Sequence, residues 1–147
     1  MGRGAGGSRA GGTGTSGGPW YHFTREANVA SIQEEGLRAT DGIAGVGVYL
    51  TSDAAGESIN RRWSDTRLRV EVDAPNTMTF RGVAHMSDFL ESRGFDTMIT
   101  EPREAFGQLG VDAVRIERGG WFVVWNPANV RVVEVTLPTP YRGTLNE

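Results

Sequence analysis

The chain contains neither cysteine nor lysine. The first absence excludes disulfides and thiolate metal sites outright. The second removes any amine side chain that could act as a nucleophile or form a Schiff base, and it makes all 15 basic residues arginine. Two histidines, His22 and His85, are too few for a histidine-built zinc site without carboxylate help. No metal is therefore expected. No apolar run is long enough to span a bilayer, and none follows a basic start as a signal peptide would. A cytoplasmic location and no membrane partner are the matching expectations. A formal charge of -3 gives no general pull toward nucleic acid or anionic lipid. What is present, 38% hydrophobic and 22% charged residues over 147 positions, suits one ordinary globular domain.

After Met1, residues 2–18 are Gly, Ser, Thr, Ala and two Arg, a composition that cannot bury enough apolar surface to offset its ordering entropy. They read as a flexible tail or linker, without the Gly-Lys-Ser/Thr of a phosphate-binding loop. The domain is expected over 19–137, with a polar tail at 138–147. Trp20 to Thr24 is aromatic and β-prone, and reads as a strand. Thr24 is then placed to cap a helix over about Glu26 to Glu35, stopped by Gly36. A loop over 39–45 leads to a strand at 46–51 and a second helix at about 54–63. Leu68, Val70 and Val72 alternate with Arg67, Arg69 and Glu71, the pattern of a half-buried strand. A short extended segment at 77–80 precedes helices at 86–93 and 102–109, the latter stopped by Gly110. Strands at 112–116, 121–125 and 130–137 close the domain. The order predicts an α+β fold whose closing strands pair antiparallel.

Three fragments carry chemistry together. They are Tyr21-His22-Phe23-Thr24 with Glu35-Gly36-Leu37 after the helix, then Gly45-Val46-Gly47-Val48-Tyr49-Leu50-Thr51, then Gly110 to Val114 with Trp121 to Pro127 and Val130 to Val133. Singly, each has an ordinary structural reading: a half-buried histidine, a core tyrosine with its hydroxyl tied to backbone, a glycine bulge. Jointly, the combination resembles the ADP-ribosyltransferase superfamily. It is similar to the histidine–tyrosine branch, of the diphtheria-toxin and poly(ADP-ribose) polymerase type, and to bacterial and phage toxin domains. The resemblance covers about Trp20 to Val135.

That resemblance implies a split β-sandwich, two small antiparallel sheets around a cleft for nicotinamide adenine dinucleotide (NAD+), with short helices outside. It implies mono-ADP-ribosyl transfer from NAD+, as substrate, to a macromolecular acceptor, protein rather than nucleic acid. The alternatives are an NAD+ glycohydrolase and a catalytically weak module with a structural role, for example in a phage particle or toxin assembly reached through the N-terminal tail. His22 would hold ribose hydroxyls, since a neutral imidazole offers one donor and one acceptor. Tyr49 would stack on the nicotinamide, whose pyridinium suits a π face. Phe23 would pair through its backbone with the carboxamide, where the family usually has glycine. Thr24 is a hydroxyl contact or a helix cap, and Trp121 is pocket lining or core.

The expected acid is missing. The family's transferring members open the strand equivalent to 121–125 with a glutamate, and here the residues are Gly120-Trp121-Phe122. Glu117, four residues earlier, is the leading substitute, and Asp112 the second. Arg25, Arg38, Arg61, Arg62, Arg67 and Arg69 are the candidates for the pyrophosphate or, equally, for solvated faces. His85 reads as a surface helix residue.

Overall fold

In the computed structural model, residues 17–53 and 65–137 are described. The expected helix at 54–63, with Arg61, Arg62 and Trp63, lies outside them, as do residues 1–16 and 138–147.

Strand β1 (Trp20–Thr24) leads into a 3-10 turn at Glu26–Asn28 and helix α1 (Val29–Glu35). Together the turn and helix fill the span expected for one helix. Thr24 does not cap it. The threonine stays buried in β1, and its Oγ1 accepts from the Asn28 side chain at 3.2 Å, because the 3-10 turn moves the helix start four residues along. The expected loop at 39–45 contains strand β2 (Thr40–Gly42), which forms a hairpin with β3 (Gly45–Thr51).

Strands β4 (Thr66–Val72) and β5 (Thr77–Phe80) follow, then helices α2 (Val83–Ser92) and α3 (Pro102–Leu109). Helix α2 begins three residues earlier than its apolar spacing suggested, with extended Gly82 as its cap residue. Helix α3 starts on a proline, whose missing N–H costs nothing there. It ends at Gly110, whose φ of 75° and ψ of 23° are left-handed. Strands β6 (Ala113–Ile116), β7 (Trp121–Val124) and β8 (Val130–Thr136) complete the chain.

The strands run in the order β5-β6-β7-β3-β1-β4-β8, with β2 hydrogen-bonded to β3 beside this path. The fold is α+β, as expected, but its eight strands form one mixed network. The β5–β6 pair is parallel, because α2 and α3 form the crossover between those strands. Nor does β8 stay beside β7. Asn126 accepts from the Ala128 amide at 3.0 Å and shapes a 3-10 turn at Pro127–Asn129. The chain then crosses to pair antiparallel with β4 at the far edge.

The sheet is joined narrowly at its centre. Strand β1 meets β3 at a single pair, Tyr21 opposite Thr51, whereas five pairs join β1 to β4 and four join β3 to β7. Strands separated by one intervening strand of a flat sheet lie roughly 10 Å apart. Trp20, in the β1–β4 wing, and Phe122, in the β3–β7 wing, reach across this distance with their side chains, ring centroids 4.4 Å apart. Leu68, Val70 and Val72 from one wing, and Val48, Leu50 and Val124 from the other, fill one shared core. A second core covers the opposite face of the β3–β7–β6–β5 wing, where α2 and α3 place Met86, Leu90 and Phe106 against Val114, Ile116 and Val123.

Candidate functional site

His22 leaves β1 beside the single-pair joint. Its Nδ1 lies 3.0 Å from the main-chain oxygen of Tyr49, 27 residues away. A carbonyl can only accept, so Nδ1 carries the proton, and Nε2 of the neutral ring offers a lone pair. The imidazole is withdrawn from water, which pushes its pKa below the ordinary 6.5, and the bond to Tyr49 opposes this only in part. His22 is therefore neutral at pH 7.

This lowered pKa has a sign that can be checked. Between its folded value and 6.5 the unfolded chain binds more protons at His22, so stability is complete above 6.5 and falls as the pH drops through this window. The slope from His22 cannot exceed about 1.4 kcal/mol per pH unit. Urea unfolding at pH 7.5, 6.5 and 5.5 is expected to show this loss, and His22→Gln is expected to flatten it. An identical pH profile in the variant would show that the ring is not desolvated.

Tyr49 sits at the middle of β3 with its hydroxyl fully engaged. The hydroxyl donates to the Gly45 carbonyl at 2.6 Å and accepts from the Ala44 amide at 2.8 Å. The β2–β3 hairpin can lie on the ring because residue 42 is glycine. A Cβ there would come within 2.7 Å of the phenolic oxygen and collide with the ring carbons. Burial raises the Tyr49 pKa, the Ala44 amide counteracts it, and the charges of Asp41 and Glu101 raise it further. With both its donor and acceptor roles filled by backbone, this phenol is not available for proton transfer. What it offers a ligand is its ring.

Alternation along β3 sends Val48 and Leu50 into the first core and Tyr49 to the other face, beside Val123 and Trp121. His22 and Tyr49 thus meet side chain to main chain, not ring to ring. Trp121 opens β7 opposite Thr51 and stands edge-on to Tyr49, centroids 5.8 Å apart at 82°. Gly119 lies under the Trp121 indole, with a φ of 94° that a larger residue rarely adopts.

The remaining sequence candidates separate. Phe23 is half-buried, opposite Arg67 in the β1–β4 ladder. Glu117 is exposed in the β6–β7 turn, where its amide donates to the Phe80 carbonyl at 2.9 Å. Asp112 is structural: its carboxylate accepts from the Asn76 amide at 3.0 Å, and its own amide donates back to the Asn76 carbonyl at 2.7 Å. Arg38 pairs with Glu35, and Arg69 with Glu134, on exposed surfaces. The Arg67 guanidinium lies over the Tyr21 ring. His85 is on α2 as expected, half-buried, with Nδ1 accepting from the Arg81 amide at 3.0 Å.

Two carboxylates that sequence reasoning missed stand near the Tyr49 hydroxyl, Asp41 on β2 and Glu101 before α3. Glu101 accepts from the Val46 amide at 3.3 Å. The Glu-Pro dipeptide marks a helix start, but nothing local announces a partner 55 residues away. Among the described residues, no group of three or more His, Asp or Glu could hold a metal ion, and no helix is long and apolar enough to cross a membrane. The chain matches no protein-family profile and no curated protein.

Proposed function

We propose that this chain binds NAD+ at the β1–β3 joint and acts as a mono-ADP-ribosyltransferase of the histidine–tyrosine type on a macromolecular acceptor. The observation that carries the reading is the 3.0 Å bond from His22 Nδ1 to the Tyr49 carbonyl. It fixes the tautomer and leaves Nε2 to accept from a ribose hydroxyl. The narrow β1–β3 joint, a single residue pair between two wings, supports the split sandwich that this reading requires. The Tyr49 ring, held from one end by the hairpin, supplies a flat surface for nicotinamide.

In this reaction the bond between nicotinamide N1 and ribose C1′ breaks and its electron pair stays on the nicotinamide, which leaves neutral. Positive charge develops on the ribose, as in glycoside cleavage. An acceptor nucleophile then bonds to C1′ and gives up its proton. A neutral His22 adds no cation beside that developing charge.

A second reading, a module that binds NAD+ with little turnover, is favoured by one specific observation. The position that opens β7 is Trp121, and the nearest carboxylate along the chain, Glu117, lies in an exposed turn. Labelled NAD+ incubated with pure protein, alone and with cell lysate, separates the readings. Label on a macromolecule supports transfer, and free ADP-ribose alone supports hydrolysis by water. Binding without turnover supports the inactive module, and no binding removes all three. If Glu117 swings in as the acid, Glu117→Gln is expected to slow turnover about tenfold or more and leave the NAD+ dissociation constant within about twofold. An unchanged rate would exclude Glu117 from the chemistry.

A further inference from the structure

A second site is built where β5 and β6 end. The β6–β7 turn is clamped to the residue after β5: the Glu117 amide donates to Phe80 at 2.9 Å, and the Arg118 amide to Arg81 at 3.0 Å. These two bonds follow the last β5–β6 pair, Phe80–Ile116, and tie Arg81 and Arg118 together through the main chain. Both arginines line a cavity of about 580 Å3, within the range of small-ligand sites. Neither guanidinium has a hydrogen-bond, ion-pair or ring partner among the described residues. The arginine–glutamate pairs among the described residues, at Arg38, Arg69 and Arg131, lie outside this cavity.

The rest of the lining is of two kinds. Ile43, Val83 and Ile116 give apolar walls, and Ile43 is 57% exposed on the hairpin tip. His85 gives a further donor, because its Nδ1 already accepts from the Arg81 amide and Nε2 carries the proton of the neutral ring. Asp88 also lines the cavity and is its one carboxylate. Two guanidiniums and an imidazole N–H supply more donors than the two oxygens of a carboxylate can use, whereas a phosphate monoester offers three oxygens and up to two negative charges. The exposed isoleucine beside them suits the flat face of a ring carried by that phosphate.

We propose that this cavity binds a nucleoside monophosphate, its phosphate held by Arg81 and Arg118 and its base against Ile43 and Val83. The site shares no residue with His22 or Tyr49, so it stands whether or not NAD+ binds at the β1–β3 joint.

The test is a titration of the whole chain with adenosine monophosphate, followed by amide nitrogen–proton shifts, with adenosine and inorganic phosphate as separate probes. Adenosine monophosphate is expected to move the amides of Arg81, Val83, His85 and Arg118, with inorganic phosphate competing and adenosine alone binding at least about tenfold more weakly. Arg81→Ala and Arg118→Ala are each expected to weaken binding about tenfold, and Asp88→Asn to tighten it. Arg103→Ala, on exposed α3, serves as the charge control and should change nothing. Adenosine binding as well as its monophosphate would overturn the proposal. So would shifts confined to β1 and β3, or loss of binding in His22→Ala with none in the Arg81 and Arg118 variants; those last outcomes would assign the nucleotide to the NAD+ site instead.

Discussion

His22→Ala is expected to reduce NAD+ binding or turnover by at least about 100-fold, with the chain still folded. The imidazole is the side chain that spans the β1–β3 joint, and its Nε2 is left for a ligand once Nδ1 is committed to the Tyr49 carbonyl. Losing one such hydrogen bond costs about 1 kcal/mol of stability net, well inside the usual stability of a domain. The joint itself does not depend on it, because Trp20 and Leu68 hold β1 in the first core and five ladder pairs bind it to β4. The measurements are calorimetric NAD+ titration and nicotinamide release, with thermal unfolding to confirm the fold. Tyr49→Ala is expected to match it in binding, since the ring is the remaining surface for nicotinamide. It should cost more in stability, because the hairpin loses its hydroxyl anchor to Ala44 and Gly45. Full activity in both variants would remove the site.

Trp121→Glu is expected to have the opposite effect and raise the rate of nicotinamide release about 100-fold. Trp121 opens β7 opposite Thr51 and stands edge-on to the Tyr49 ring; under the proposed NAD+ reading, a carboxylate there would face the positive charge that develops on the ribose. Charge stabilisation aimed at the transition state, in a site partly closed to water, is worth factors of this size. The cost is a half-buried aromatic ring, about 2 kcal/mol of stability, so the assay belongs at low temperature. Single-turnover release of nicotinamide from labelled NAD+ reads the outcome directly. A lower or equal rate in the variant would mean that another acid already serves, or that Trp121 does not occupy the position assigned to it.

Some of this architecture is legible in the chain and some is not. The alternation at 66–72, the helix stops at Gly36 and Gly110, and the aromatic β1 all depend on contacts within a few residues, and each forms where expected. Strand β2 escapes detection because Thr40-Asp41-Gly42 has no apolar alternation. It exists because Gly42 lets the hairpin lie on the Tyr49 ring. The parallel β5–β6 pair escapes because a run such as Thr77–Phe80 does not say which strand will lie beside it. Among candidate site residues, His22 and Tyr49 stand out only through the family resemblance that the fragments around the first helix carry together. Asp41 and Glu101 gain their position near Tyr49 only when the hairpin and α3 come together.

By itself, then, the chain determines most of the segments that become strands or helices, which face of each is apolar, and that cysteine and lysine side chains are absent. Tertiary structure alone decides that β1 meets β3 only at Tyr21–Thr51, that Trp20 reaches Phe122, and that Arg81 and Arg118 face one cavity. The reason is physical: local pattern sets the sign of a surface, apolar or polar, but many distant surfaces of that sign compete for it. Which one wins is settled by the packing of the whole domain.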